Sequence, residues 1–201
     1  SLRGDEEQLL VVSAADKWLP PFDVGFAPLV QYGDAAAAAC IGYAQSGRPA
    51  LAVIEGIVTG WQPEPAVVWE RSLDATCEAM VAMVAGLIAT LMLRHRIDAG
   101  KLSGVIGEAY GCALPARVLA AAGLPPPLAE PEPPENHLSS ADFVHCLLRG
   151  VRAASAADRP GHYLIWTASP FGSAGVALVR CHPHAVTARS GGTFDLSASI
   201  F

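Results

Sequence analysis

The chain has 201 residues, of which 52% are hydrophobic and only 16% charged, with a net charge of -6 and a pI near 5.4. That balance excludes a disordered chain, and the lack of a basic run or a basic-aromatic stripe excludes a nucleic-acid partner. It calls for a well-buried core, or a large buried interface, in one large domain or two small ones.

The elements are taken in chain order. Leu9 to Ala14 is a short apolar run between charged residues and Pro20-Pro21, which predicts a buried strand. Ala35 to Tyr43 is small and apolar. Alanine favours helix, while the short length and the flanking Gly33 and Gly47 suit a tightly packed strand equally well. Ala50 to Thr59 reads as strand through Val53, Ile54, Ile57 and Val58. In Leu73 to His95, Met80, Met83, Val84, Leu87 and Leu91 recur at helical steps, and apolar residues lie all round, so a central helix is expected. Its longest apolar stretch, Ala79 to Leu93, is about 15 residues, short of the roughly 20 that a membrane span needs. No membrane partner is expected.

Leu102 to Ile106 predicts a strand, and Leu114 to Ala122 a helix closed by Gly123. The Pro-rich segment from Leu124 to Pro134 can be neither helix nor central strand, so it is an extended loop. Ser139 with Asp142 matches the Ser-x-x-Asp capping pattern and predicts a helix over Phe143 to Val151. Tyr163 to Thr167 and Gly175 to Arg180 predict two strands joined by the turn Ser169–Ser173. Strands alternating with helices define an α/β protein.

Cys40, Cys77, Cys112, Cys146 and Cys181 are odd in number and lack metal-ligand spacing, so they read as reduced, mostly buried small hydrophobes in a reducing cytoplasm. His182-Pro-His184 has no Cys or carboxylate close by, and no metal is expected. His95 sits beside Arg94 and Arg96 at a helix end, where positive charge suits the dipole.

Four segments carry a resemblance. They are Gln8-Leu-Leu-Val-Val-Ser-Ala-Ala-Asp16, Tyr32-Gly-Asp-Ala-Ala-Ala-Ala38, Asn136-His-Leu-Ser-Ser-Ala-Asp142 and Phe171-Gly-Ser-Ala-Gly-Val-Ala-Leu-Val-Arg180. In this order they resemble the C-terminal part of ketoacyl-acyl-carrier-protein synthase III and its thiolase-fold relatives. His137 to Asp142, with Asp16-Lys-Trp-Leu-Pro-Pro-Phe-Asp23, is similar to the branch of polyketide starter-unit synthases and acyltransferases. The resemblance implies an α/β, thiolase-like fold of two similar halves, usually dimeric. Residues 1–60 would end the N-terminal half, and residues 61–201 would form the C-terminal half. It also implies an acyl thioester of coenzyme A or acyl carrier protein as substrate, with no bound cofactor.

Two departures from the family pattern stand out. The family's nucleophile, a Cys or Ser, precedes the strand at Leu9, so a missing N-terminal segment or a second chain would supply it, within a homo- or hetero-oligomer. The family's His slot aligns with Val105 to Gly111 and holds Glu108. The expected activity is therefore acyl transfer. Starter-unit condensation and a non-catalytic partner subunit of a heteromeric condensing enzyme remain the alternatives.

Each candidate residue has a chemical role and a structural one. His137 would be the base, or a loop His bound to backbone or solvent that carries little packing. Asp142 would orient it, or satisfy N–H groups at a helix start. Asn136 would donate to the thioester oxygen, or make a turn. Glu108 would be a base if burial raised its pKa. Phe171 and Gly172 would present backbone N–H groups to an oxyanion, or form an ordinary hairpin turn.

Overall fold

The computed structural model describes residues 10–17, 29–30, 32–42, 50–61, 73–111, 113–125 and 137–183. These form six strands and three helices of four residues or more: β1 Leu10–Asp16, β2 Ala35–Ile41, β3 Ala52–Trp61, α1 Leu73–His95, β4 Gly104–Gly107, α2 Leu114–Ala121, α3 Asp142–Ala156, β5 Gly161–Ser169 and β6 Ser173–Cys181. The alanine-rich segment whose type the sequence leaves open is strand β2. Its antiparallel pairing with β1, from Leu10–Ile41 to Asp16–Ala35, outweighs the helix propensity of alanine.

The second sheet has the order β3-β6-β5-β4. The β5–β6 pair is a hairpin in continuous register from Gly161–Cys181 to Ser169–Ser173. β3 runs antiparallel to β6 with a bulge between Ile54 and Gly56, and β4 runs parallel to β5. The expected boundary after residue 60 falls at the end of β3. Ala52–Trp61 is hydrogen-bonded along β6, so it belongs to the sheet of the later residues.

Alternation along β5 and β6 builds two cores on the two faces of this sheet. Leu164, Trp166, Val176 and Leu178 face α1 and α2, whereas Tyr163, Ile165, Ala177 and Val179 face α3. On α1, Cys77, Met80, Val84, Ile88 and Leu91 are buried. Burial on every side was expected of this helix, and it is buried on one: Ala82, Gly86 and Ala89 line its outer side. At 23 residues it outlasts its apolar stretch, and by length and composition it is long and apolar enough to cross a membrane. Packing against β3, β5, β6 and α2 accounts for the same composition.

Gly123, at φ 66°, closes α2 as expected, since a residue with Cβ would be strained there. Cys77, Cys146 and Cys181 are buried and Cys40 is half-buried, all as free thiols. Burial lifts the Cys181 thiol to about 12, which suits a packing role rather than a reactive one. Cys112, His184 and the Pro-rich segment beyond Pro125 lie outside the described residues.

Candidate active site

Glu108 follows the last residue of β4, at the carboxyl end of a strand parallel to its neighbour, where open α/β sheets place ligand-facing groups. Gly107 sets its position. A Cβ there would fall 2.2 Å from the Trp166 ring, so only glycine lets β4 lie against β5 at this point. His137 comes from a different direction. It forms a bridge beside Tyr32, and Gly33 N–H donates to its carbonyl at 2.9 Å. Asp142 is the first residue of α3.

The start of that helix departs from the expected cap. Ser139 makes no side-chain cap and instead opens a 3₁₀ turn, Ser139–Ala141, with φ at 53°. The carboxylate of Asp142 reaches back to accept Leu138 N–H at 3.0 Å. Asp142 thereby secures the chain entering α3, and at the same time its Oδ2 lies 3.1 Å from His137 Nδ1.

The structure brings Glu108, His137 and Asp142 together. His137 Nε2 lies 3.3 Å from Glu108 Oε2, and all three side chains are buried. His137 is not a solvated loop residue. The rings of Tyr32 and Tyr110 meet it edge-on, with centroids at 5.3 and 4.8 Å. Tyr110 is anchored by its hydroxyl, which donates to Ala168 O at 2.5 Å. Glu108 Oε2 also accepts Ala168 N–H at 2.9 Å.

The donors around the imidazole set its proton. Ser139 N–H donates to Nδ1 at 2.8 Å, so Nδ1 presents a lone pair. A neutral ring then carries its proton on Nε2 and donates it to Glu108. In this tautomer Glu108 Oε2 is the acceptor of the hydrogen bond from Nε2–H. Burial raises the pKa of Glu108, with the His137 and Ala168 hydrogen bonds opposing the rise. Burial also raises that of Asp142, against the lowering effects of His137 and Leu138 N–H. Asp142 Oδ1 is buried and makes no hydrogen bond among the described residues.

Donor atoms of Glu108, His137 and Asp142 lie within 4.8 Å of one another, close enough to consider a shared cation. However, the carboxylates flank opposite nitrogens of one ring. Glu108 is hydrogen-bonded to the imidazole, and Asp142 lies in ion-pair contact with its other nitrogen.

Glu108, His137 and Tyr110 face an open cavity of about 760 Å³ whose far wall is the end of the sheet: Thr59 and Trp61 on β3, Thr167 on β5, and Phe171 at the β5–β6 turn. The two N–H groups expected to face an oxyanion have partners within the turn. Gly172 N–H donates to Ser169 O at 3.0 Å, and Phe171 N–H to Ser169 Oγ at 3.1 Å. The turn consumes both groups, and with Gly172 at φ 89° it is a tight hairpin. Asn136 lies outside the described residues. Sequence reasoning missed Tyr32 and Tyr110, although Tyr32 opens one quoted motif and Tyr110 stands two residues after Glu108.

No protein-family model and no curated protein matches the sequence. Solved structures do match in fold. The acyltransferase ChlB3 superposes with a TM-score of 0.67 at 17% identity, over 90% of this chain and 61% of its own. The 3-oxoacyl-(acyl carrier protein) synthase III of Pseudomonas aeruginosa gives 0.62 at 16%, over 88% and 58%. The ishigamide ketosynthase/chain length factor gives 0.60 at 18%, over 87% and 49%. The fold is therefore the α/β fold of thiolase-type condensing enzymes and acyltransferases, of the ketoacyl synthase III kind. The chain spans about half to three-fifths of the length of these structures.

Proposed function

We propose that this chain supplies the proton-handling part of an acyltransferase site in polyketide or other secondary metabolism. The donor would be an acyl thioester of coenzyme A or an acyl carrier protein. The acceptor would be a hydroxyl or amine, and the nucleophile would come from residues outside those described. One observation carries the reading: a buried carboxylate, Glu108, faces the cavity while hydrogen-bonded to His137.

The chemistry discriminates between the two reactions of this fold. Decarboxylative condensation develops negative charge on an enolate-like oxygen and needs hydrogen-bond donors there. A buried carboxylate would repel that charge. Acyl transfer needs a base instead. The nucleophile attacks the thioester carbonyl and the C–S bond breaks, leaving an acyl-enzyme and a free thiol. The acceptor O–H or N–H then gives its proton to Glu108 as its heteroatom attacks the acyl carbon. Collapse of the adduct breaks the bond to the nucleophile, and the proton passes from Glu108 to the departing group. Likeness in fold to the acyltransferase ChlB3 supports this reading, while likeness to the ketosynthase/chain length factor supports a condensing or partner role as the second.

The test offers full-length protein a labelled acyl thioester, once with a malonyl carrier protein and once with hydroxyl and amine acceptors. Ester or amide formation that falls by about 10² to 10⁴ in Glu108→Gln is the expected result. Release of carbon dioxide with a ketoacyl product overturns it.

A further inference from the structure

The tautomer of His137 depends on one backbone N–H, that of Ser139, and this donor sits in an unfavourable conformation. Ser139 has φ at 53°, a left-handed setting that costs a non-glycine residue about 1 kcal/mol or more. Such a setting persists only where its surroundings enforce it. On one side the enforcing contact is Leu138 N–H on Asp142. On the other side it comes from a distant part of the chain. Asp16, the last residue of β1, accepts Ser140 N–H at 3.0 Å through Oδ2, and the same oxygen accepts the Ser140 hydroxyl.

We propose that Asp16 is a positioning residue for the site: by clamping Ser140 it holds Ser139 N–H on His137 Nδ1 and so fixes the proton of the ring on Nε2, facing Glu108. Asp16 touches neither His137 nor the cavity. It acts through two peptide groups, and it does so from the small sheet, whereas Glu108 is carried by the large one. Without the clamp, Ser139 relaxes toward ordinary φ, its N–H leaves Nδ1, and the ring gains a second option. Nδ1 then takes the proton and donates it to Asp142 Oδ2, 3.1 Å away. Nε2 becomes an acceptor opposite the Glu108 carboxylate, and the polarising bond is lost.

The proposal rests on the acyl-transfer reading only for its kinetic consequence, so the primary readout is spectroscopic. Full-length protein labelled with ¹⁵N-histidine is examined by long-range ¹H–¹⁵N correlation, with His137 assigned through His137→Gln. In the wild type a neutral ring protonated on Nε2 is expected, with Nδ1 unprotonated. Asp16→Ala should move the two nitrogen shifts toward each other as the tautomers mix, whereas Asp16→Asn, which keeps an acceptor oxygen, should restore the wild-type pattern. A wild-type ring protonated on Nδ1, or an Asp16→Ala spectrum identical to wild type, overturns the proposal. Should Asp16→Ala fail to fold, Ser140→Ala removes only the hydroxyl arm of the clamp. It should give a smaller shift in the same direction, and no shift overturns the proposal. In acyl-transfer assays Asp16→Ala should lower kcat about 10-fold to 10²-fold, the usual scale for a small misplacement, with KM for the thioester unchanged. Absence of acyl transfer in the wild type counts against the function alone, since the spectrum decides the clamp.

Discussion

The two sheets of this molecule are held by different forces. In the four-stranded sheet, Leu164, Ile165, Trp166, Val176 and Val179 are at most 1% exposed, and helices cover both faces. In the β1–β2 ribbon, Leu10 and Val11 are 61% and 64% exposed, and Val12 and Ile41 are also open. The expectation of a buried first strand fails for this reason: the residues are apolar, but within the described chain nothing covers them. Burial holds the large sheet, whereas the ribbon relies on its own ladder and on polar contacts such as Asp16 with Ser140. The lesson concerns the site. The candidate site draws on both: Glu108 follows a strand of the large sheet, and Asp16, at the end of the ribbon, accepts from Ser140 beside His137.

The sharpest way to break this contrast is a pair of truncations. Leu164→Ala should cost about 2–5 kcal/mol, the range for a fully buried leucine, while Val11→Ala should stay within about 0.5 kcal/mol. Denaturant unfolding measures both, and similar losses would show that the ribbon is as well packed as the sheet. Next in size is His137→Ala. A loop histidine would leave stability unchanged, but this one is buried among Tyr32, Tyr110 and two carboxylates. Its removal should cost about 2–4 kcal/mol by leaving a cavity and unshielded buried charge. An unchanged unfolding midpoint would return His137 to the surface.

A smaller effect of opposite sign is expected for Glu108→Gln. The amide oxygen can still accept both Ala168 N–H and His137 Nε2–H, and the cost of burying a charge disappears. Stability at neutral pH should rise by about 0.5–2 kcal/mol, the common yield of a stabilising change, while turnover falls. The smallest effect is its pH dependence. Burial raises the pKa of Glu108, so between the ordinary carboxylate range and that raised value the folded state binds more protons than the unfolded state. The contribution of Glu108 therefore favours folding at acid pH and is lost as pH climbs through the raised value. The stability gap between Glu108→Gln and wild type should widen from pH 4 to pH 8. A gap that narrows over that interval would mean the carboxylate is stabilised by its surroundings.

Much of this was open to the sequence because local patterns report local forces. The 3.6-residue period of Leu73 to His95 fixed a helix with those same ends, and the apolar runs at Tyr163 and Gly175 fixed a hairpin about the Ser169–Ser173 turn. His137, Asp142 and Glu108 were singled out by residue type at motif positions, and those three do converge. Other features belonged to no local pattern. Strand β2 is alanine-rich, and only its partner β1 made it a strand. The membership of β3 was decided by a ladder with β6 more than a hundred residues away. The fate of the Phe171 and Gly172 N–H groups depended on the closure of one tight turn. Above all, the sequence named a histidine and two carboxylates but not what binds the ring. The tertiary structure sets the Ser139 N–H on Nδ1, next to contacts from an aspartate at the end of β1 and another at the start of α3. Hydrogen bonds between groups so distant in the chain leave no period and no spacing, so only the tertiary structure could decide them.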